Sequence, residues 1–144
     1  MVTPLPLVVG ALIVDRFPGP SRVLAARRTR PPSLVGQWEF PGGKVEPGER
    51  PENALRREIS EELAVSISVH AELPPPDGGT WPASNGYRMR LFYATASGEP
   101  APRDGHDAVQ WLTAAELYNV VWLESDRGVL HHLCLEGESG VQDG

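Results

Sequence analysis

The stretch PENALRREISEELAV, residues 51–65, limits what this chain can fold into more than any other. At ~100° per residue, Leu55, Ile59 and Leu63 line up as one apolar stripe of a helix. Pro51 suits the first helical turn, where its missing N–H has no partner to lose. With Glu58 at the origin, Glu61 lies near about −60° and Glu62 near about +40°, an arc of roughly 100°. The helix therefore buries one side and presents three carboxylates on the next. Two like charges ~4 Å apart cost up to about 4 kcal/mol at an effective dielectric near ~20. On a solvated helix face the cost is only a few tenths of a kcal/mol. Two readings fit: an exposed acidic face beside Arg56 and Arg57, or a platform for a hard divalent cation that takes carboxylate, water and phosphate oxygens.

The rest of the chain supplies a sheet for that helix. LPLVVGALIVD reads as a strand, and its apolar run is too short to cross a bilayer. SRVLAARR reads as its hairpin partner, RPPSLVGQ as a loop, WEFPGG as a brief extended segment and KVEPGER as a turn. After the helix, VSISVHAEL, YRMRLFYATA and AVQWL read as strands. TAAEL reads as a short helix capped by Thr113, and a C-terminal helix is expected from Ser125, its cap, to about Leu135. Strands around helices predict an α/β fold with a mixed sheet between helices. Residues 1–136 are expected to form one domain, with 137–144 a flexible tail.

The net charge of −6 argues against a nucleic-acid polymer as partner, because phosphate contacts need a basic face. An anionic ligand would need a mediating cation. The one cysteine, Cys134, fits a reducing cytoplasm and is expected to be buried in GVLHHLCL. No membrane partner is expected.

Upstream of the helix, Gly42 and Gly43 permit close approach to a ligand, Lys44 can meet a phosphate oxygen, and Glu49 can pair with Arg57. The run from Gly43 through Glu49, Arg57, Glu58, Ile59, Glu61 and Glu62 to Val65 resembles the Nudix box, GX5EX7REUXEEXGU. The box covers about a sixth of the chain; one position departs, Ala64 for the last glycine. That change is mild if the turn does not demand a positive φ.

The resemblance implies the Nudix α/β/α sandwich and hydrolysis of a nucleoside diphosphate linked to another group. It implies Glu58, Glu61 and Glu62, with a Gly42 carbonyl, as ligands of Mg²⁺ or Mn²⁺. It makes Glu58 the leading general base, with Glu61 and Arg57 beside it in the catalytic set. MutT-like members carry a further acid six residues before the tryptophan that is Trp111 here, and that position is Gly105. Asp104 is the favoured stand-in ligand, with Asp107 and His106 as alternatives. Arg28 falls where those members place a phosphate-binding arginine, although a surface arginine of a basic hairpin would read alike. Asp126 falls near their base-reading position, or else merely favours a helix N-terminus. Trp81 and Tyr87 could stack on a base, or pack.

The expected activity is Mg²⁺-dependent hydrolysis of a nucleoside triphosphate, 8-oxo-dGTP or CTP/dCTP, to the monophosphate and pyrophosphate, by a cytoplasmic monomer or homodimer. ADP-ribose or dinucleotide polyphosphate hydrolysis, and a non-catalytic nucleotide sensor, are the alternatives. An isomerase would need a catalytic cysteine, which Cys134 does not offer.

Overall fold

The apolar run near the N-terminus forms β1 (Leu7–Ile13), and both of its faces are covered. The computed structural model describes residues 6–136; the tail expected at 137–144 lies outside them. Val9, Ala11 and Ile13 join one apolar cluster, whereas Leu12 joins another. Alternating side chains of a strand point to opposite faces, so an unbroken apolar run marks a strand with a layer on each side. β1 pairs in parallel with β7 (Arg88–Ala96), in register from Leu7 opposite Arg88 to Ile13 opposite Ala94. Its other edge takes β4 (Gly42–Lys44) antiparallel. β5 (Ile67–Leu73) and β6 (Trp81–Pro82) pair antiparallel with β7.

A second sheet has the order β3 (Trp38–Glu39), β2 (Arg22–Arg28), β8 (His106–Thr113). The expected β1–β2 hairpin is therefore corrected. The two strands share only a bridge at Val14 and Val23 before parting into different sheets. The partner of β1 is decided by burial against β7, which local turn signals do not report.

The amphipathic segment forms α1 (Pro51–Leu63), with Pro51 in its first turn. Leu55, Ile59 and Leu63 are fully buried against Val9, Ala11, Ile13, Leu24 and Phe92. The opposite side of the main sheet is covered by Leu112, Leu117, Trp122, Val129, Leu130 and Leu135. The C-terminal cover is not the continuous helix expected from Ser125. It is one turn, α2 (Glu124–Arg127), with Leu123 rather than Ser125 at its cap position, followed by a 3-10 turn at Leu130–His132. Gly128, a poor helix former, sits at the break, and the neighbouring Val129 and Leu130 are buried together. Cys134 is exposed rather than buried, and its backbone N–H donates to the Tyr93 hydroxyl. The fold is a mixed α/β layering with few helices. Among the described residues, no helix is long and apolar enough to cross a membrane.

Ala64 ends α1 in the left-handed conformation, φ 55° and ψ 39°. The turn does demand a positive φ, so alanine here is strained where glycine would not be.

Candidate active site

β4 passes directly under α1, and two glycines make this possible. A Cβ on Gly42 would collide with the Val9 carbonyl and the Gly10 backbone, and one on Gly43 would occupy the Glu58 carboxylate. Neither has a positive φ. Close approach, not an unusual backbone angle, is what these positions require.

Arg57 ties the polar loop to the helix. Its Nε and Nη2 donate to the two Glu49 carboxylate oxygens at 2.9 and 3.0 Å, and Nη2 also donates to the Lys44 carbonyl at 3.2 Å. Nη1 donates to Glu58 Oε2 at 3.0 Å and lies 3.7 Å from Glu61 Oε1. A planar guanidinium in this bidentate geometry fixes direction as well as distance. Glu58 is thus held between Arg57 and the Gly43 backbone. Glu61 points outward, with its side chain 52% exposed.

Glu62 turns inward and is buried. Burial pushes its carboxyl up to about 10, reinforced by a hydrogen bond with Glu58 and by the charges of Glu39 and Glu58. The Gly42 N–H opposes that shift. Glu39, buried on β3, accepts from Arg28 Nη1 at 2.9 Å and lies 2.7 Å from His106 Nε2. His106 Nδ1 in turn faces Glu62 Oε1 at 3.8 Å. Those two atoms are buried and have no hydrogen-bond partner. Glu39, Glu62 and His106 together form a group able to hold a metal ion. Orphaned buried acceptors beside clustered carboxylates are the chemistry that a divalent cation satisfies.

His106 reaches this place because the preceding segment is stitched to the end of α1. The Ala101 N–H donates to the Leu63 carbonyl at 2.8 Å, and the Arg103 N–H to the Glu62 carbonyl at 2.7 Å. Gly105 then turns with φ 89°. The structure does not bring Asp104 into the group: it pairs with Arg30 at 3.0 Å, and its side chain is 59% exposed. Asp107 likewise pairs with Arg27 at 2.8 Å at the surface. Sequence reasoning did not select Glu39 and ranked His106 below Asp104. One available signal was an acid locked between aromatics in WEF, a setting where it must face a pocket.

A cleft of about 340 Å³ opens beside these groups. Its lining includes the charged Arg28, Glu39 and Lys44 and the apolar Phe40, Met89 and Leu123. Asp126 also lines it, buried, with Oδ2 accepting from the Phe40 N–H at 3.1 Å. Burial, and then the Glu39 charge, push the Asp126 carboxyl up to about 8. Near neutral pH it therefore holds a proton and can both donate and accept. Tyr87 lines the cleft beneath the Lys44 ammonium, 5.1 Å from its ring centre. Trp81 is buried, and its Nε1–H donates to the Leu73 carbonyl, a packing role.

An acid-edged helix lies over a glycine-bearing strand, beside a cleft whose lining includes Arg28 and Lys44. The family follows from comparison with known proteins. Residues 4–133 match the NUDIX domain, and the chain belongs to the Nudix hydrolase family. An 8-oxo-dGTP diphosphatase of Haemophilus influenzae is 57% identical over 131 residues, covering 90% of this chain and 91% of that protein. A Mycobacterium tuberculosis protein provisionally named 8-oxo-dGTP diphosphatase 2 is 47% identical over 113 residues, 74% of each chain. The CTP pyrophosphohydrolase of Escherichia coli is 43% identical over 61 residues, 42% of this chain and 43% of that one. Among solved structures, the MutT NUDIX hydrolase from Burkholderia pseudomallei superposes with a TM-score of 0.64 at 30% identity, over 92% of this chain and 100% of that one.

Proposed function

We propose that this Nudix hydrolase cleaves a nucleoside triphosphate to the monophosphate and pyrophosphate with Mg²⁺, and that 8-oxo-dGTP is its preferred substrate. The observation that carries this reading is Asp126, a buried carboxyl lining the same cleft as Gly42, Gly43 and Lys44. A protonated carboxyl can donate to a carbonyl and accept from an amide N–H, which suits the edge of an oxopurine. The named activities of the relatives from Haemophilus influenzae and Mycobacterium tuberculosis point the same way.

The residues divide the work by position. Glu58, Glu61, Glu62 and the Gly42 carbonyl would hold the cation, which when bound neutralises phosphate charge and makes water more acidic. Glu58, which accepts a hydrogen bond from Arg57 Nη1, would take the proton of the attacking water. Arg28 and Lys44, which line the cleft, would meet phosphate oxygens. The cleft walls Phe40 and Met89 would exclude water around the base.

A cytidine triphosphate is the second reading. An ionised Asp126 would accept from the cytosine amino group, and the Escherichia coli relative is named for CTP. Pyrophosphate release with Mg²⁺ should be measured across 8-oxo-dGTP, dGTP, CTP, dCTP, ATP and ADP-ribose, beside Asp126→Ala. The expected result is one dominant triphosphate whose advantage over its undamaged or differently based counterparts collapses in the variant. Turnover of ADP-ribose alone, releasing AMP, would overturn the substrate assignment while leaving the hydrolase chemistry in place.

A further inference from the structure

The corner formed by Glu39, Glu62 and His106 differs from the rest of the site in holding two buried side-chain atoms with no hydrogen-bond partner. The His106 side chain is only 5% exposed. Glu39 Oε2 sits 2.7 Å from His106 Nε2, and an ionised carboxylate only accepts. A ring proton therefore sits on Nε2. The other nitrogen, Nδ1, faces Glu62 Oε1 across 3.8 Å, and neither atom has a hydrogen-bond partner. The other Glu39 oxygen is already taken by Arg28 at 2.9 Å. A histidine whose one nitrogen is fixed by a carboxylate while the other looks into an acidic pocket has the arrangement of a metal ligand with its outer support.

We propose that His106 Nδ1 and Glu62 Oε1 ligate the same divalent cation, and that Glu39 is a positioning residue that sets the His106 tautomer. The proposal rests on the cation-dependent reading given above and adds a nitrogen donor to an otherwise oxygen-based set. Its chemical consequence is a shift in metal preference. Mg²⁺ favours oxygen ligands, whereas imidazole suits later divalent ions, so the site gains affinity for Mn²⁺ and its neighbours relative to Mg²⁺.

The test is titration of Mn²⁺ into the full chain, followed by electron paramagnetic resonance. The free-ion signal should fall as protein is added. Pulsed spectra should show a directly coordinated nitrogen whose coupling changes when histidine is isotopically labelled. His106→Gln should still bind Mn²⁺, about 10-fold more weakly, and should lose the nitrogen coupling. If that variant does not fold, a chain carrying His70→Gln, His131→Gln and His132→Gln leaves residue 106 as the last of the four histidines. Nitrogen coupling in that chain supports the assignment, and its loss overturns it. Bound Mn²⁺ with no nitrogen coupling overturns the proposal and leaves the cation site standing. Failure to bind Mn²⁺ at all overturns both.

Discussion

The acidic face of α1 has two ends that differ in how they are balanced. At the Glu49–Arg57–Glu58 end, the guanidinium meets two carboxylates and a backbone carbonyl within 3.2 Å. At the Glu39–His106–Glu62 end, two buried side-chain atoms, Glu62 Oε1 and His106 Nδ1, face each other at 3.8 Å with no hydrogen-bond partner. One end has its polar atoms paired within the protein, and the other leaves two buried polar atoms unpaired. The difference separates a rigid ion-paired network from a group able to hold a metal ion.

That contrast can be broken by substitution, and the largest effect should come at its centre. Glu58→Gln should lower turnover by about 10³-fold with little change in thermal unfolding, because it removes a base but keeps the shape. Near-normal turnover in the presence of ample Mg²⁺ would show that Glu58 is only architectural. The unpaired end should respond to pH. The Glu62 carboxyl titrates higher when folded than when unfolded, so between about pH 4.5 and 10 the native state holds a proton that the unfolded chain releases. Stability in a chelator should therefore fall as pH rises across that window, by up to about 1.4 kcal/mol per pH unit. Glu62→Gln should flatten the slope, and so should added Mg²⁺ or Mn²⁺. A slope unchanged by either would mean that another group controls it.

The paired end should behave differently. Arg57→Ala should cost about 2 kcal/mol of stability from lost charge-assisted hydrogen bonds, with or without cation. A loss seen only when metal is present would merge the two ends into one network. The smallest effect lies just beyond the helix. Ala64→Gly should stabilise the protein by about 1 kcal/mol, because the residue sits at φ 55°. Denaturant unfolding measures both changes, and a destabilised Ala64→Gly would mean that its methyl group packs.

The paired end was legible in the sequence and the unpaired end was not, for one physical reason. Arg57, Glu58 and Glu61 share a helix turn, so spacing alone places them together, and Glu49 lies in the adjoining loop. The other group joins residues from β3, α1 and β8, and tertiary folding alone makes them neighbours. Asp104 looked the better stand-in because a histidine in a loop is more often simply solvated, but Asp104, beside the turn at Gly105, pairs with Arg30 instead. The strands were legible from their apolar runs, and their pairing was not, as β1 and β2 show. The C-terminal helix was over-read because Val129, Leu130 and Leu135 are buried in an irregular cover rather than along a helical stripe.

The parallel pairing of β1 with β7 has a consequence for the order in which the molecule can assemble. Leu7 meets Arg88 and Ile13 meets Ala94. During synthesis β1 emerges long before the strand it needs, and β4 alone covers only its first half. Until β7 leaves the ribosome, one of the most apolar segments of the chain has an open edge, the condition in which strands recruit the wrong partner. Nascent chains halted before β7 (Arg88–Ala96) has left the ribosome should therefore be the ones that bind holdase chaperones, and chains with β7 wholly outside it should be released.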